Sequence, residues 1–339
     1  YIPSKPSFDY YTKDYKRGLE FYSNGVMIME KNQELLPEYL GFVKGVVDSE
    51  DLSLNISREM LQKDRRLQSI AKNIEKRIIS DLKALMKNDR EKYIEFFESF
   101  GLSLKLALYT SFGEKKEVED LLLFRSSKSK EYVSLKEYIE NIKEDQKYIY
   151  YAAGKSVEEL DKNPALQKLK NEGYQILYLT HEIDEFVLKL LSKHDDLEFK
   201  SVFDEEQEVE NDKLDETEKT NRKSLFESMK NFLPEDVVEV KESHRLDEDA
   251  SILTSRGEFS IEMEKAFLNQ PEASGLKADK VLEINPNHPI FEKLMDALSN
   301  NDQEQIELIS KVLYDQSRLI AGLPLEDVIE YTKNVMKLI

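Results

Sequence analysis

A chain of 339 residues with 68 Asp and Glu against 49 Lys and Arg carries a formal net charge of −19, a field that repels phosphate backbones and anionic lipid surfaces, so neither nucleic acid nor membrane is an expected partner. It contains no Cys, which excludes disulfide frameworks, thiolate zinc sites and cysteine nucleophiles and fits a reducing compartment such as the cytoplasm. A hydrophobic fraction of 40% can bury two or three domain cores, while apolar runs such as Leu102 to Leu108 fall far short of the roughly 20 residues that span a bilayer.

The opening Tyr1-Ile2-Pro3-Ser4 has no basic-plus-apolar leader, so the chain reads as an excised fragment. Two strand-like stretches, Leu19 to Tyr22 and Val26 to Met29, flank Ser23-Asn24-Gly25, and Asn-Gly between apolar runs predicts a hairpin. After a polar turn beyond Leu52, the residues Leu67, Ile70, Ile74, Ile78, Leu82 and Leu85 recur at helical spacing, marking the core face of a long helix. Strands at Tyr148 to Tyr151 and Gln175 to Leu179 surround a helix near Ala165 to Asn171, a unit that favours a parallel pair with a right-handed crossover. Asn163-Pro164 stands where that helix should begin and Gly173 where it should end. Residues 201 to 220 hold nine acids and two lysines, too little apolar surface for a core, so a domain boundary is expected there. The pattern restarts with a helix at Ser224 to Phe232, strands at Val237 to Val240 and Ala250 to Thr254, and helices to the end. The last two helices carry Ile306, Ile309, Val312, Leu313 and Ile320, then Leu325, Val328, Ile329, Val335, Met336 and Ile339, with a break at Gly322 and Pro324. Such a pair either folds back on its own domain or meets a twin, and the pattern alone leaves both open.

Several motifs invite a chemical reading. Ala153-Gly154-Lys155-Ser156 follows a strand as a phosphate loop would, but the glycine required five residues before Gly154 is Ile149, so a plain strand-to-helix turn is expected and a self-contained nucleotide hydrolase is the alternative. His181, His194, His244 and His288 show no i, i+4 pair, so no metal site is expected. Acid pairs are too abundant to single out a carboxylate dyad. Arg58 follows a plausible N-cap, Ser57, and a cation in a first helical turn opposes the helix dipole by about 0.3–1 kcal/mol. It either pairs at the surface with Asp48, Glu50, Asp51 or Glu59, or awaits an anion such as a phosphate. Phe259 to Leu268 is rich in Phe and Met and is a contact surface if it faces solvent, core if it does not.

The run Phe42-Val43-Lys44-Gly45-Val46-Val47-Asp48-Ser49-Glu50-Asp51-Leu52-Ser53-Leu54-Asn55-Ile56-Ser57-Arg58-Glu59-Met60-Leu61-Gln62 resembles the signature of the heat-shock protein 90 family. The likeness extends to Tyr1-Ile2-Pro3, Phe100-Gly101-Leu102, Lys147-Tyr148-Ile149-Tyr150-Tyr151, Ile183-Asp184-Glu185 and Leu282-Glu283-Ile284-Asn285-Pro286-Asn287-His288. The resemblance implies a multidomain α+β protein. Residues 1–110 would form the large part of a middle domain, with α/β/α layers and a long helix. Residues 111–203 would form its helical part and smaller βαβ subdomain, 204–220 an acidic linker, and 221–339 an α+β C-terminal domain ending in a helical dimerisation bundle.

In that family an N-terminal domain, not in this chain, binds ATP with Mg, so the fragment alone is expected to hold no cofactor or metal and to be inactive. The resemblance implies that Arg58 reaches the ATP γ-phosphate in the full-length ATPase, with Asn55 supporting the same loop and Gln62 one turn on; Arg58 and Gln62 at i, i+4 share a helix face. It also makes Met263, Phe267 and Leu268 a surface for partly folded client proteins. The terminal helices, 302–321 and 325–338, become a homodimer interface through Ile306, Ile309, Leu313, Ile320, Val328, Ile329 and Val335. The implied function is an ATP-dependent stress-response chaperone, with the nucleotide hydrolase above or a purely structural dimerisation module as rivals. The ending Met336-Lys337-Leu338-Ile339 lacks the acidic tail with which eukaryotic cytosolic members dock cochaperones, which points to the bacterial branch. Two departures stand out: family members run a continuous strand through the place of Ser23-Asn24-Gly25, and their middle domain begins some tens of residues before Tyr1.

Overall fold

A computed structural model describes residues 1–10, 12–50, 64–205, 215–268 and 275–338. The protein is α+β and divides into two compact units. The first comprises Tyr1–Phe124, Glu131–Asn141 and Phe186–Ser192, the second Arg125–Lys130, Ile142–Glu185 and Lys193–Ile339. Among the described residues no helix is long and apolar enough to cross a membrane.

In the first unit β1 (Leu19–Ser23) and β2 (Val26–Asn32) are antiparallel and β3 (Val46–Ser49) runs parallel to β1, giving the order β2-β1-β3. Asn24 at φ 51° and Gly25 at φ 74° both adopt the left-handed conformation, which two-residue hairpin turns of the primed types require. The hairpin read from Asn-Gly therefore forms, with Ser23 opposite Val26, and the continuous strand implied by the resemblance does not. Helices α1 (Arg65–Asn88) and α2 (Arg90–Thr110) are joined by a single residue, Asp89, whose side chain caps α2 by accepting from the Lys92 amide. Of the expected α1 stripe, Leu67, Ile78 and Leu82 are buried together with Ile79. Phe96 and Phe100 of α2 close around Phe42, the Phe42 and Phe100 ring centroids being 4.6 Å apart. Gly101 is needed here for space, since a Cβ on it would meet the Phe97 ring at 2.9 Å. The chain continues through α3 (Lys116–Glu119), β4 (Leu123–Ser126), β5 (Tyr132–Ser134) and α4 (Leu135–Glu140), the last begun by a reciprocal capping box of Ser134 and Glu137.

In the second unit β6 (Tyr148–Ala153) and β7 (Ile176–Leu179) are parallel, from Tyr150 opposite Ile176 to Ala153 opposite Leu179. Their connection contains α5 (Val157–Asp161) and α6 (Gln167–Asn171). The boundaries expected from turn chemistry are present. The Asn163 side chain accepts from the Ala165 amide ahead of a short 3-10 turn, and Gly173 at φ 82° lets the Tyr174 amide reach back to the Leu169 carbonyl. Next come α7 (Asp184–Leu191), which from Phe186 on belongs to the first unit, and then β8 (Lys193–His194) and β9 (Leu197–Ser201), giving neighbours β4-β7-β6-β9-β8, with β9 parallel to β6.

Helix α8 (Glu216–Asn231) begins earlier than the expected Ser224 because Asp215 and Glu218 form a capping box inside the acid-rich stretch. After it come β10 (Val237–Glu242), β11 (Ser251–Arg256), α9 (Ile261–Phe267), β12 (Asp279–Ile284), α10 (Pro289–Ser299), α11 (Gln303–Ile320) and α12 (Val328–Leu338). The sheet order is β10-β12-β11, with β12 parallel to β10 and antiparallel to β11. Helices α8, α10 and α11 supply Leu225, Met229, Phe291, Ile306, Ile309 and Leu313 to the core that this sheet completes with Val240, Leu253 and Leu282. The sequence reading missed β12, whose five residues Lys280–Ile284 are all buried, because a strand covered on both faces lacks the alternation that marks a half-exposed one.

Candidate functional site

Helix α9 carries the three candidate client-contact residues. Ser260 starts it, accepting from the Met263 amide while donating to Glu185 at 2.6 Å, and Tyr151 donates to the other Glu185 oxygen at 3.3 Å. This cap sets the rotation of the helix so that Ile261, Met263 and Glu264 face inward. Met263 is only 6% exposed and Leu268 is 49% exposed, close in sequence to Leu276 at 55%. Phe267 lies between these extremes, its ring stacked on Phe259 with centroids 6.2 Å apart. The buried Glu264 accepts from the Ala278 amide and from Lys280 Nζ, both at 2.7 Å, and Lys280 also donates to Asp236 at 2.9 Å.

The partly exposed face of α9 meets the end of α11. Lys265 pairs with Glu262 and donates to the Ala321 carbonyl at 2.9 Å. A cavity of about 20 Å³, the size of one water, is lined by Glu159, Glu185, Ser260, Glu262 and Ala321 among others. Burial pushes the Glu262 carboxyl up to about 7; Lys265 pulls against this, and the charges of Glu185 and Glu159 add to it.

The candidate dimer residues divide into two groups. Ile306, Ile309 and Leu313 lie in the core of their own unit, where the Leu313 carbonyl accepts from Ser251 of β11 at 3.2 Å. Ile320 and Val335 are half-buried. Val328 and Ile329 are 62% and 69% exposed, as are Met336 at 67% and Leu319 at 49%. The turn between the helices is fixed by Arg318, which donates to the Pro324 carbonyl at 2.6 Å and to Glu326 at 2.9 Å, and Lys311 bridges to Glu330 at 3.4 Å.

At Gly154-Lys155-Ser156 the Gly154 amide donates to the Leu179 carbonyl and the Ser156 hydroxyl accepts from the Glu159 amide, capping the five-residue α5. A Cβ on Gly154 would lie 2.8 Å from Leu160, so packing accounts for the glycine, as expected of a strand-to-helix turn. His288 caps α10 by accepting from Ile290, and His181 Nδ1 stands 3.7 Å from Asp184. Among the described residues no group of three or more metal-binding side chains gathers. Asn55, Arg58 and Gln62 lie outside the described residues.

Sequence reasoning did not single out the buried Arg245 and Glu283. Arg245 donates to both carboxylate oxygens of Glu283, at 3.0 and 3.1 Å, and to the backbone carbonyls of Val202 and Asp204, while Thr254 donates to Glu283 at 3.0 Å. The available signal was an acid between Leu282 and Ile284, in a run where neither neighbour is polar.

The Hsp90 protein family matches the chain over residues 1–339, and the chain belongs to that family. Among its relatives is the chaperone protein HtpG of Clostridium perfringens, 51% identical over 339 residues that make up 100% of this chain and 54% of the relative. HtpG of Bacillus subtilis is 50% identical over 341 residues, 99% of this chain and 54% of the relative. HtpG of Clostridium botulinum is 48% identical over 342 residues, again 54% of its length. The chain thus spans about half the length of these curated relatives.

Proposed function

We propose that this chain is the middle and C-terminal part of a bacterial ATP-driven chaperone that acts in the cytoplasm as a homodimer on partly folded proteins. Membership of the Hsp90 family over the whole chain carries this reading. ATP and Mg are bound by an N-terminal domain, and these residues complete the site from the other side. Arg58 meets the developing charge on the γ-phosphate, with Gln62 on the same helix face and Asn55 supporting the loop. The finer architecture belongs to the same reading: α/β/α layers over 1–110, a smaller βαβ part over 111–203, an acidic linker at 204–220 whose last five residues are already the start of α8, and a dimerisation domain over 221–339.

Within the last domain, the exposed Val328, Ile329 and Met336 of α12, with Leu319, are the apolar face that a second copy would cover. Leu268 and the edge of Phe267 serve the client surface, and the buried Met263 supports them from beneath. Met263, Ile306, Ile309 and Leu313 therefore act through the fold.

The test has two arms. Calorimetry on these 339 residues should detect no ATP binding, and micromolar affinity would sink the reading. In the full-length protein Arg58→Ala should cost ATPase activity on the order of 10³-fold, the scale of an arginine finger, whereas a purely structural dimerisation module predicts no change. Lys155→Ala should leave that activity intact; a dead enzyme would favour a hydrolase built on Gly154-Lys155-Ser156.

A further inference from the structure

We propose that Asn24 is a site of spontaneous modification, converting through a succinimide to aspartate and isoaspartate with the Asp48 carboxylate as proton acceptor. The inference is independent of the chaperone reading. Asn24-Gly25 is the single Asn-Gly pair in the sequence, and both residues are exposed at the tip of the β1–β2 hairpin. Ring closure needs the amide nitrogen after the asparagine to reach the side-chain carbonyl carbon. Glycine presents that nitrogen without a side chain, and the space around Gly25 is empty, with no atom within 4 Å of where a Cβ would stand. The turn adds a feature that sequence alone does not show. Both oxygens of Asp48, on β3, lie against the Gly25 amide, at 3.2 and 3.3 Å. A carboxylate at hydrogen-bond distance from the proton to be removed has the geometry of a general base. The Asn24 amide nitrogen donates to the Ser23 hydroxyl at 3.4 Å, a long contact that leaves the side chain lightly held.

The chemistry balances with water alone. Gly25 N gives its proton to Asp48 and attacks Asn24 Cγ. The N–Cγ bond forms, the Cγ–Nδ2 bond breaks, and the nitrogen leaves as ammonia carrying the proton returned from Asp48. Solvent water then adds to one of the two ring carbonyls and opens the ring to aspartate or isoaspartate. Either product sets a new carboxylate beside Asp48. Isoaspartate also lengthens the main chain by one carbon within a two-residue turn, which disturbs the pairing of Ser23 with Val26. The disturbance reaches β3 directly, because Tyr22 and Ser23 pair with Asp48 and Ser49.

The experiment is ageing of the intact chain in warm neutral buffer, followed by peptide mass spectrometry of the Gly18–Lys31 tryptic fragment and enzymatic methylation to count isoaspartate. Asn24 should convert faster than every other asparagine of the chain. Asp48→Asn should slow it by about tenfold, less than the 10²–10⁴ of an optimally placed base, and Asp48→Glu should restore most of the rate. Circular dichroism of both variants checks that the fold is kept, and the comparison among asparagines in the unaltered chain stands even if Asp48→Asn fails to fold. Conversion of Asn24 no faster than its neighbours would overturn the proposal. So would an unchanged or faster rate in a folded Asp48→Asn chain, since Asp48 would then be only a tie holding the turn shut.

Discussion

Glu262 sits between opposing influences, and the balance sets a pH dependence that can be measured. Burial, with Glu185 and Glu159 nearby, raises its carboxyl to about 7 from an ordinary 4.5, against the pull of Lys265. The folded protein therefore holds a proton that the unfolded chain has released, so stability falls as pH rises between those two values. The contribution is fully present below the unfolded value and gone above about 7; its size is at most about 3 kcal/mol, taking 1.36 kcal/mol per pKa unit. Glu262→Gln should flatten this slope, seen as urea midpoints that differ less between about pH 5 and about pH 8 than those of the parent chain. An equally steep slope in the variant would assign the titration to another group. Nothing in the sequence marks Glu262 among 68 acidic residues, because its character comes first from burial and then from Lys265, Glu185 and Glu159, and the burial, Glu185 and Glu159 are set by the fold. Asn24 is the opposite case. Its conformation follows from its own chemistry and that of Gly25, and the sequence was enough to find the turn, although not to find Asp48 beside it.

At the scale of elements, α11 and α12 show what helical periodicity can and cannot tell. Both carry an apolar stripe, and both stripes are legible. Which one meets its own sheet depends on β11 and β12, and β12 is itself hard to read because it is covered on both faces. Ile309 of α11 turned inward and Ile329 of α12 stayed outside. Substitutions at the two should separate fold from assembly. Ile309→Ala should cost about 2–5 kcal/mol of stability through the cavity it leaves. Ile329→Asp should change the stability of the single chain's own fold by about 0.5 kcal/mol or less, as surface changes do, yet turn the proposed dimer into a monomer by light scattering. Dimers persisting in Ile329→Asp would move the interface off this face. The reading of Asn55, Arg58 and Gln62 is of a third kind: it rests on family resemblance alone, since an arginine behind a serine cap is ambiguous by its local chemistry.

For the whole molecule the dominant quantity is charge. Two copies at −19 each repel one another, and the repulsion is screened over a length that shrinks from about 30 Å at 0.01 M salt to about 3 Å at 1 M. The proposed association through the apolar α12 face should therefore tighten as salt is added, with sedimentation equilibrium giving a lower dissociation constant at the higher ionic strength. Weakening by salt would indicate an interface held by ion pairs. The strand order β10-β12-β11 has a consequence for synthesis. The strand that joins the other two is the last to be made, and the roughly twenty residues separating β11 from β12 take about one to four seconds to translate at 5–20 residues per second. During that interval β10 and β11 have both been synthesised, while the strand whose hydrogen bonds join them has not. Codon choice across residues 257–284 therefore sets how long β10 and β11 wait for their shared partner, a lever on the yield of folded protein that leaves every amino acid unchanged.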